Sequence, residues 1–324
     1  MSKYKNSQYE RQVKLIRDTS NIFSGDKGYG YFMKIRRNFV LKNGINNLYE
    51  PIRDGVIEYF NDNNISWWGG HKPTGHTLSS QIACLNHLFA IMHDKDAVLA
   101  MLNGVRNEFE EVLPISCDAK PQYIGFEVVS SEDHLNEKIS TRGSNCTSID
   151  ALIYAVHKGD KKRWIIPIEW KYTEYYGKKD KSNEDRKGEA KGTNGKGQER
   201  VNRYEPLINA STQLKSLDCY YGSIYYQEPF YQLMRQTLWV ENVIKNSNIE
   251  KLGAEDYFHI HVIPSDNKDL LDKVYSVSNK RMEETWRGML KDQSKYMIVD
   301  PKTLFLPIVD KYSDLASYLG KRYW

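Results

Sequence analysis

The sequence predicts an α/β protein. Apolar residues recur at helical spacing over residues 77–93. Two β-rich apolar runs follow at 148–157 and 163–172, and the short polar turn between them is typical of a hairpin. A helical pattern returns over 228–244 and precedes another strand at 257–263. Helices that alternate with strands in this way favour the α/β class over an all-helical or all-strand fold.

Length and composition limit the classes of protein that the chain can belong to. Its 324 residues exceed the usual size of one domain, so we expect a mainly helical region at 1–94 and a second domain at 95–324. No apolar run has the roughly 18 residues that a membrane helix needs. The four cysteines are too scattered for a zinc ribbon or a disulfide framework. Together with the polar N-terminus, these features predict a cytoplasmic protein without membrane contact.

The elements around the hairpin follow from their spacing. Residues 79–81 are expected to cap the helix predicted within 77–93. Apolar positions at helical intervals predict a second helix over 96–113, and residues 123–129 have the pattern of a strand. Pro167 interrupts the second strand of the hairpin, so we expect a bulge or a locally unpaired position there.

Residues 177–200 form a hydrophilic segment that is rich in Lys, Gly, Asp and Glu. Such a composition cannot bury a core, so the segment is predicted to be a mobile insert in the second domain. The net charge of +4 permits nucleic-acid binding without demonstrating it. The candidate contacts to phosphates are basic residues of this insert and of the N-terminal region: Lys34, Arg36, Arg37, Lys178 and Lys179.

The hairpin brings acidic and basic side chains onto one face. Residues two apart on a strand share a face, so Glu169 and Lys171 point the same way. If the turn is centred between Gly159 and Asp160, Asp150 lies opposite Glu169. Cross-strand neighbours have Cβ atoms roughly 4.5–5.5 Å apart, where two carboxylates repel each other. Two hard oxygen ligands at this separation suit Mg²⁺, and Lys171 beside them could orient or deprotonate an attacking water.

The alternative interpretation of these three residues is an ordinary ladder of surface ion pairs on a half-exposed hairpin. The strands that carry Asp150 and Glu169 are nearly continuous in apolar residues, which predicts burial and favours a site. His259 and His261 also share a strand face, but no third ligand stands at a convincing spacing. Hydrogen-bonded core histidines are therefore expected there.

Asp150, a short hairpin and then Glu169-Trp170-Lys171 resemble the D…ExK signature of the PD-(D/E)XK nuclease superfamily, which has the restriction-endonuclease-like fold. The order of elements over about 96–264 is similar to the αβββαβ core of that fold, and this resemblance implies a mixed central sheet flanked by helices. Ile149 stands where many members have proline, and the insert after Lys171 is unusually long. The resemblance implies that Asp150 and Glu169 hold a metal ion and that Lys171 takes part in catalysis.

The resemblance also implies accessory residues. Glu127, on the strand beside the hairpin, is the first candidate for a further metal ligand, against the alternative of an ordinary surface carboxylate. Related nucleases often add an acidic ligand from the first helix, so Glu108 and Glu111 are the next candidates. Residues 229–236 resemble a motif helix of uncharacterised bacterial members. Its polar side chains are expected near the site: Gln232, Arg235 and Gln236.

The function that the resemblance implies is a Mg²⁺-dependent endonuclease of restriction or defence type that acts on double-stranded DNA, with Mn²⁺ able to replace Mg²⁺. The alternative is a nucleic-acid-binding or assembly module on the same fold whose hairpin no longer cleaves. An intact set of Asp150, Glu169 and Lys171 favours the enzyme. A homodimer is compatible with either function.

Overall fold

The computed structural model describes residues 2–18, 21–115, 120–138, 146–177 and 179–324. The helices are α1 Lys3–Arg17, α2 Arg53–Asp62, α3 Ser80–Leu88, α4 Lys95–Val105, α5 Gly195–Ala210, α6 Phe230–Lys245, α7 Lys268–Leu271, α8 Met282–Met289, α9 Pro301–Phe305 and α10 Ser313–Arg322. The strands are β1 Gly30–Phe32, β2 Ile35–Arg37, β3 Phe109–Leu113, β4 Ile124–Val128, β5 Ile149–His157, β6 Arg163–Trp170, β7 Asp256–Tyr257, β8 His259–Val262, β9 Val274–Tyr275, β10 Lys280–Arg281 and β11 Tyr296–Val299. Within these ranges, no helix combines the length and the apolar character that crossing a membrane requires.

A mixed sheet forms the centre of the fold, and within the described residues it has seven strands. β5 and β6 are antiparallel neighbours, and β3 and β4 share the other edge of β5 end to end. The far edge of β6 pairs in parallel with β7 and then with β8, and β8 pairs in parallel with β11. The hairpin strands therefore have neighbours on both edges.

Helices cover both faces of this sheet. The helices α2, α3, α4, α9 and α10 pack on one face, in a cluster that includes Val56 and Ile166. The helices α5, α6 and α8 pack on the other face, in a cluster that includes Ile165 and Leu238. Full burial of side chains of this size contributes about 1.5–3 kcal/mol each to folding. The helices of residues 1–94 thus share one core with the sheet.

The predicted hairpin is confirmed in position and in register. Ala151 pairs with Ile168, and one further step along this register brings Asp150 opposite Glu169. The strand after α6 is likewise confirmed and lies parallel to β6.

Pro167 lies at a position in the sheet where the lack of an N–H breaks no hydrogen bond to a neighbouring strand. It pairs with Leu152 without a shift of register. Alternate N–H groups of this part of the chain point towards β8, as the N–H of Lys171 does when it donates to the carbonyl of Val262 at 2.8 Å. Pro167 is four residues before Lys171, so its nitrogen points the same way. It faces the interruption between β7 and β8. The expected locally unpaired position is therefore present, without a bulge.

The helix predicted over 96–113 is wrong in its second half. α4 ends at Val105, and residues 109–113 form strand β3. The side chain of Asn103 exchanges two hydrogen bonds with the main chain of Phe109, at 2.9 and 3.0 Å, and so stabilises the turn. A shift of register between Phe109 and Glu111 lets Phe109 and Val112 enter the same core cluster. This bulge produces a three-residue apolar spacing in a strand, which imitates a helix.

Two other segments differ from expectation. The N-terminal region contains the β1–β2 hairpin, whose three-residue strands are too short to show a period in the sequence. The insert at 177–200 contains the beginning of α5 and a 3₁₀ turn with the fully buried Ser182. A Cβ atom at Gly197 would lie 1.8 Å from the carbonyl oxygen of Ser182, so glycine here permits close packing of the main chain.

Candidate active site

Three carboxylates lie at one end of the sheet. Glu127 is the next-to-last residue of β4, Asp150 the second residue of β5 and Glu169 the next-to-last residue of β6. Glu127 and Glu169 are buried, and Asp150 is half-buried. The carboxylate of Asp150 accepts a hydrogen bond from the main-chain N–H of Trp170 at 2.7 Å. The structure therefore brings together the three side chains that the sequence suggested as metal ligands.

Lys171 lies beside these carboxylates, and its side chain is 4% exposed. Its ammonium donates hydrogen bonds to Glu169 Oε1 and to Gln232 Oε1. Gln236 Nε2 donates to Glu169 Oε2, the other oxygen of the carboxylate. Gln232 and Gln236 lie one turn apart on α6, whose apolar side chains pack against this face of the sheet. The Glu169–Lys171 pair is thus enclosed by protein donors and acceptors.

Glu127 has a left-handed backbone conformation with a φ of 48°, inside strand β4. The ladder to β5 pairs the residues on either side of Glu127 and skips it. Its Oε1 accepts a hydrogen bond from Gln81 Nε2 at 2.8 Å, and its Oε2 accepts one from Ser148 Oγ at 2.7 Å. This conformation costs a non-glycine residue about 1–2 kcal/mol. The surroundings therefore hold Glu127 in place against local strain.

The charges of this cluster shift the ionisation of its members. Burial, and then the charges of Glu169 and Glu127, hold the pKa of Asp150 well above its ordinary value. Burial raises the pKa of Glu127, although the hydrogen bonds to its two oxygens oppose the shift. Burial lowers the pKa of Lys171, but the negative charges around it, those of Glu169, Glu174 and Asp150 among them, together outweigh burial and the pKa is raised. Lys171 is therefore a cation at neutral pH and acts as a hydrogen-bond donor rather than a base.

The chemistry of these donors fits a hard divalent cation. The cluster contains three carboxylates and one ammonium, and burial together with the neighbouring negative charges raises the pKa values of Glu127 and Asp150. Among the described residues, no three His, Cys, Asp or Glu side chains converge at coordination distance. Mg²⁺ typically takes one or two carboxylates and keeps several waters, so a protein cage of three ligands is not needed. Asp150 and Glu169 would hold such an ion.

A family model described as "Restriction Endonuclease associating with ARP" matches residues 10–324, nearly the whole chain. The chain belongs to this restriction-endonuclease family. No curated protein matches the chain, and no solved structure does. The mixed α/β architecture with its mixed central sheet is consistent with a restriction-endonuclease-like fold.

In this member of the restriction-endonuclease family, Arg235 binds a different carboxylate. Its Nε and Nη2 donate to Glu137 Oε1 at 3.0 and 2.8 Å. The hydroxyl of Tyr204 donates to the same oxygen at 2.6 Å, and the hydroxyl of Thr147 does so at 2.8 Å. Glu137 therefore connects α5 and α6 to the segment between β4 and β5. This network indicates a structural role for Arg235.

Glu108 and Glu111 lie towards the opposite end of the sheet, because β3 pairs with the half of β5 that is nearer the hairpin turn. Glu111 forms an ion pair with Lys95 at 2.7 Å, and Glu108 forms one with Arg106 at 2.6 Å. The structure does not bring either glutamate to the carboxylate cluster. The error follows from the wrong helix at 96–113, which would have turned these side chains towards the site.

The predicted phosphate contacts lie in two places. Lys34, Arg36 and Arg37 belong to the β1–β2 hairpin and its turn, where Lys34 and Arg36 are exposed. Lys179 is exposed in the segment between β6 and α5. Lys178 lies outside the described residues.

Two residues at the site were not identified from the sequence. Gln81 was expected only to help cap α3, but Ser79 is the cap and Gln81 reaches Glu127. Ser148 contacts the same carboxylate from the residue before β5. A contact between Gln81 and Glu127 across 46 residues leaves no pattern in a single sequence, although Ser148 could have been found by its nearness to Asp150.

The two histidines on β8 also differ from expectation. His261 pairs with Glu169 in the parallel ladder, and its Nδ1 contacts the hydroxyl of Tyr296 at 2.8 Å. Neither ring nitrogen of His259 has a hydrogen-bond partner among the described residues. Burial lowers the pKa of His259 to about 4, so the ring is neutral. The expectation of hydrogen-bonded histidines therefore holds for one nitrogen of His261 and is wrong for His259.

Proposed function

We propose that this chain is a Mg²⁺-dependent nuclease of the PD-(D/E)XK type that hydrolyses phosphodiester bonds in double-stranded DNA. The observation that carries the proposal is the Asp150–Glu169 pair across the hairpin, with Lys171 buried beside it. The order α4, β4, β5, β6, α6, β8, to which β3, α5 and β7 are additions, supports it, because it matches the αβββαβ order of that superfamily. Membership of a restriction-endonuclease family supports the same chemistry. A cytoplasmic location and a homodimer stay predictions.

Each side chain of the cluster has a distinct role in this proposal. Asp150 and Glu169 hold the cation, and Glu127 adds negative charge beside them. A bound Mg²⁺ supplies Lewis acidity to the phosphate and to a coordinated water. The ammonium of Lys171 donates hydrogen bonds to the attacking water or to the phosphate oxygen on which negative charge develops. Gln236 orients the Glu169 carboxylate through its second oxygen.

The reaction needs few other groups. Water adds to phosphorus in line with the leaving sugar oxygen, the P–O bond to that oxygen breaks, the water loses a proton to solvent and the leaving oxygen takes one up from solvent. The exposed basic residues Lys34, Arg36 and Lys179 contact phosphates and position the strand without reading its sequence. Mn²⁺ has the same preference for oxygen ligands and is proposed as a substitute for Mg²⁺.

A non-cleaving nucleic-acid-binding or assembly module is the second candidate. The observation that favours it is the Glu169 carboxylate, both oxygens of which already accept hydrogen bonds from Lys171 and Gln236. If these bonds persist with metal present, each oxygen of Glu169 has only its second lone pair to offer to a cation. Cleavage and metal binding therefore separate the two candidates.

A cleavage assay tests the proposal directly. Supercoiled plasmid is incubated with wild type, with Lys171→Ala and with Lys321→Ala, in Mg²⁺ or in Mn²⁺. Lys321 is an exposed lysine of α10 and serves as the matched control. We expect Lys171→Ala to lower the rate at least about 100-fold, as the loss of one donor to a developing oxyanion does, and the control to cleave like wild type. Binding without nicking by wild type would support the module instead.

A melting series tests the site without a substrate. Asp150→Asn keeps an acceptor for the N–H of Trp170 but removes one repelling carboxylate. The metal-free variant should therefore melt at the same temperature as wild type or higher. Mg²⁺ at ten times its Kd should stabilise wild type by about 1.4 kcal/mol and leave the variant unchanged.

The control for this series is Glu111→Gln, which removes a carboxylate that is 43% exposed. This variant should respond to Mg²⁺ as wild type does. A surface ladder of ion pairs predicts the reverse result for Asp150→Asn, namely a small loss of stability and no response to metal in either protein. That result would refute the proposed metal site.

A further inference from the structure

An open cleft of about 1240 Å³ lies between the β1–β2 hairpin and residues 67–75. Its side-chain lining is largely aromatic and basic, and includes Tyr29, Phe32, Arg36, Trp67, His71 and Lys72. The N–H of Leu41 donates to the carbonyl of Gly75 at 2.8 Å, and a Cβ atom at Gly75 would lie 2.3 Å from the carbonyl oxygen of Leu41. The two walls are therefore joined main chain to main chain, which gives the cleft a fixed shape.

The residues that line this cleft include Arg36, Lys42 and Lys72 and no Asp or Glu. The chain as a whole is nearly balanced, with 46 Lys and Arg against 42 Asp and Glu. Residues 27–49 nevertheless contain five Lys and Arg and no Asp or Glu, and residues 63–93 also contain no Asp or Glu. A concave surface with one sign of charge concentrates ligands of the opposite sign. The cleft is thus suited to a polyanion.

The hairpin exposes apolar side chains at a strained turn. Tyr31 and Met33 are 72% and 74% exposed. Met33 and Lys34 are the two central residues of the turn, with φ values of 49° and 64°. Two-residue hairpin turns with positive φ at both positions are best filled by Asn-Gly, so Met and Lys are unfavourable there. Folding does not account for these side chains, and strain combined with exposure points to contact with a ligand.

Two hydrogen bonds connect the cleft to the carboxylate cluster. The N–H of Trp68 donates to Gln81 Oε1 at 3.1 Å, and Gln81 Nε2 donates to Glu127 Oε1 at 2.8 Å. The ring of Phe32 on the hairpin packs against the ring of Trp68, with centroids 4.8 Å apart. A strand that lies along the cleft is therefore close to the proposed catalytic site.

We propose that this cleft binds an unpaired nucleobase of the substrate, stacked on the exposed ring of Tyr31, while Arg36 and Lys72 contact the neighbouring phosphates. The proposal rests on the proposed nuclease function for its substrate, DNA, and specifies the form in which that DNA is bound. Aromatic rings stack on any base, and basic side chains bind phosphates, so the cleft matches both parts of a nucleotide strand. Moving a base out of a duplex is easiest where the base is already unpaired.

A binding assay with three fluorescein-labelled DNA probes tests this proposal. The probes are a fully paired duplex, the same duplex with one unpaired base, and a single strand. They are titrated with the full chain without divalent cations, so that no cleavage occurs. Wild type should bind the two probes with unpaired bases about 5- to 150-fold more tightly than the paired duplex, which is the effect of one stacked base. Tyr31→Ala should remove this preference and leave affinity for the paired duplex nearly unchanged.

The matched control is Tyr221→Ala, which removes a tyrosine that is 39% exposed and is not among the residues that line the cleft. This variant should keep the wild-type preference. Equal affinity of wild type for all three probes would overturn the proposal, as would an equal loss of affinity for all three in Tyr31→Ala. Cleavage of the plasmid together with equal affinities would refute the base-binding cleft and leave the nuclease intact. A preference for unpaired bases without any cleavage would refute only the nuclease.

A variant of the hairpin turn keeps the test valid if Tyr31→Ala fails to fold. The double substitution Met33→Asn with Lys34→Gly suits the positive φ values, so it should raise the melting temperature. It should also weaken binding to the probes with unpaired bases. Removal of one phosphate contact should reduce the slope of log K against log salt concentration by about 0.9. A more stable variant with unchanged binding would show that the turn does not contact DNA.

Discussion

His87 allows a test of whether the core beneath the site keeps a histidine ring neutral. Its ring lies 4.8 Å from the ring of Trp170, on the opposite face of the sheet from the Glu169–Lys171 pair. Its Nδ1 contacts the carbonyl oxygen of Ala83 at 2.7 Å and therefore carries a proton, while Nε2 has no partner among the described residues. Burial lowers the pKa of His87 to about 3, so the folded protein keeps this ring neutral. We predict that His87→Leu makes the protein less sensitive to acid.

The sign and size of the effect follow from linkage. Histidine in the unfolded chain takes up a proton below its ordinary pKa of 6.5, whereas the folded chain does so only near 3. The stability that depends on a neutral ring is therefore complete above pH 6.5 and is lost as the pH falls towards 3. At about pH 5 the loss is about 2 kcal/mol, because roughly 1.5 pH units each cost about 1.36 kcal/mol. The variant has no such loss.

Urea unfolding of both proteins near pH 7.5 and near pH 5 measures this difference. The comparison must be between proteins, because Asp150 and Glu127 have raised pKa values and change stability with pH in the opposite direction. Cys84→Ala is the control, since burial raises the pKa of this thiol of the same helix and keeps it uncharged at both values. The control should differ from wild type by the same amount at each pH. If His87→Leu also does so, the ring is not held neutral and the reasoning is refuted.

Two further predictions concern buried charged side chains and are also measured by urea unfolding. Arg322 donates to the main-chain carbonyl of Asn47 at 2.5 Å and also to the side-chain oxygen of Asn47. Arg322→Met should therefore destabilise the fold by about 2–3 kcal/mol. An effect no larger than that of Lys321→Met, at the exposed neighbouring residue, would contradict this prediction. Glu137→Gln should cost about 2–3 kcal/mol because it leaves the half-buried Arg235 without its partner, and Arg235→Met should cost about 3 kcal/mol because it leaves the buried Glu137 unpaired. The double variant should cost about 1–3 kcal/mol less than the two single changes together, and strict additivity would show that the pair is not coupled.

Local patterns were sufficient to predict the hairpin and its register. Strands β5 and β6 are nearly continuous apolar runs with a short polar turn between them, so the position of Asp150 opposite Glu169 follows from one choice of turn centre. Helix α6 could also be predicted from local patterns, because its apolar stripe is long. The nearness of Gln232 and Gln236 to the pair came from resemblance to a motif helix, since periodicity does not say which strand a helix covers.

Long-range contacts and irregular backbone could not be predicted in this way. The bulge in β3 gives an apolar spacing that a helix also has, so spacing alone chose the wrong element. Glu127 depends on a left-handed residue within a strand and on Gln81 from a distant helix. The position of Arg235 depends on Glu137, whose other partners lie on separate elements. Each of these features is decided by tertiary packing, which a single sequence does not display.

The match between β6 and α6 explains how an ionised pair is tolerated inside the fold. Residues two apart on a strand are separated by about 6.6 Å, and residues four apart on a helix by about 6.0 Å. Gln232 and Gln236 can therefore face Lys171 and Glu169 together, one amide oxygen accepting from the ammonium and one amide N–H donating to the carboxylate. Amides satisfy both ions without adding charge. A protein in which apolar side chains replace a buried ion pair is often as stable as the original or more stable. The ion pair and its two amides are therefore better explained by the chemistry of a site than by the needs of folding.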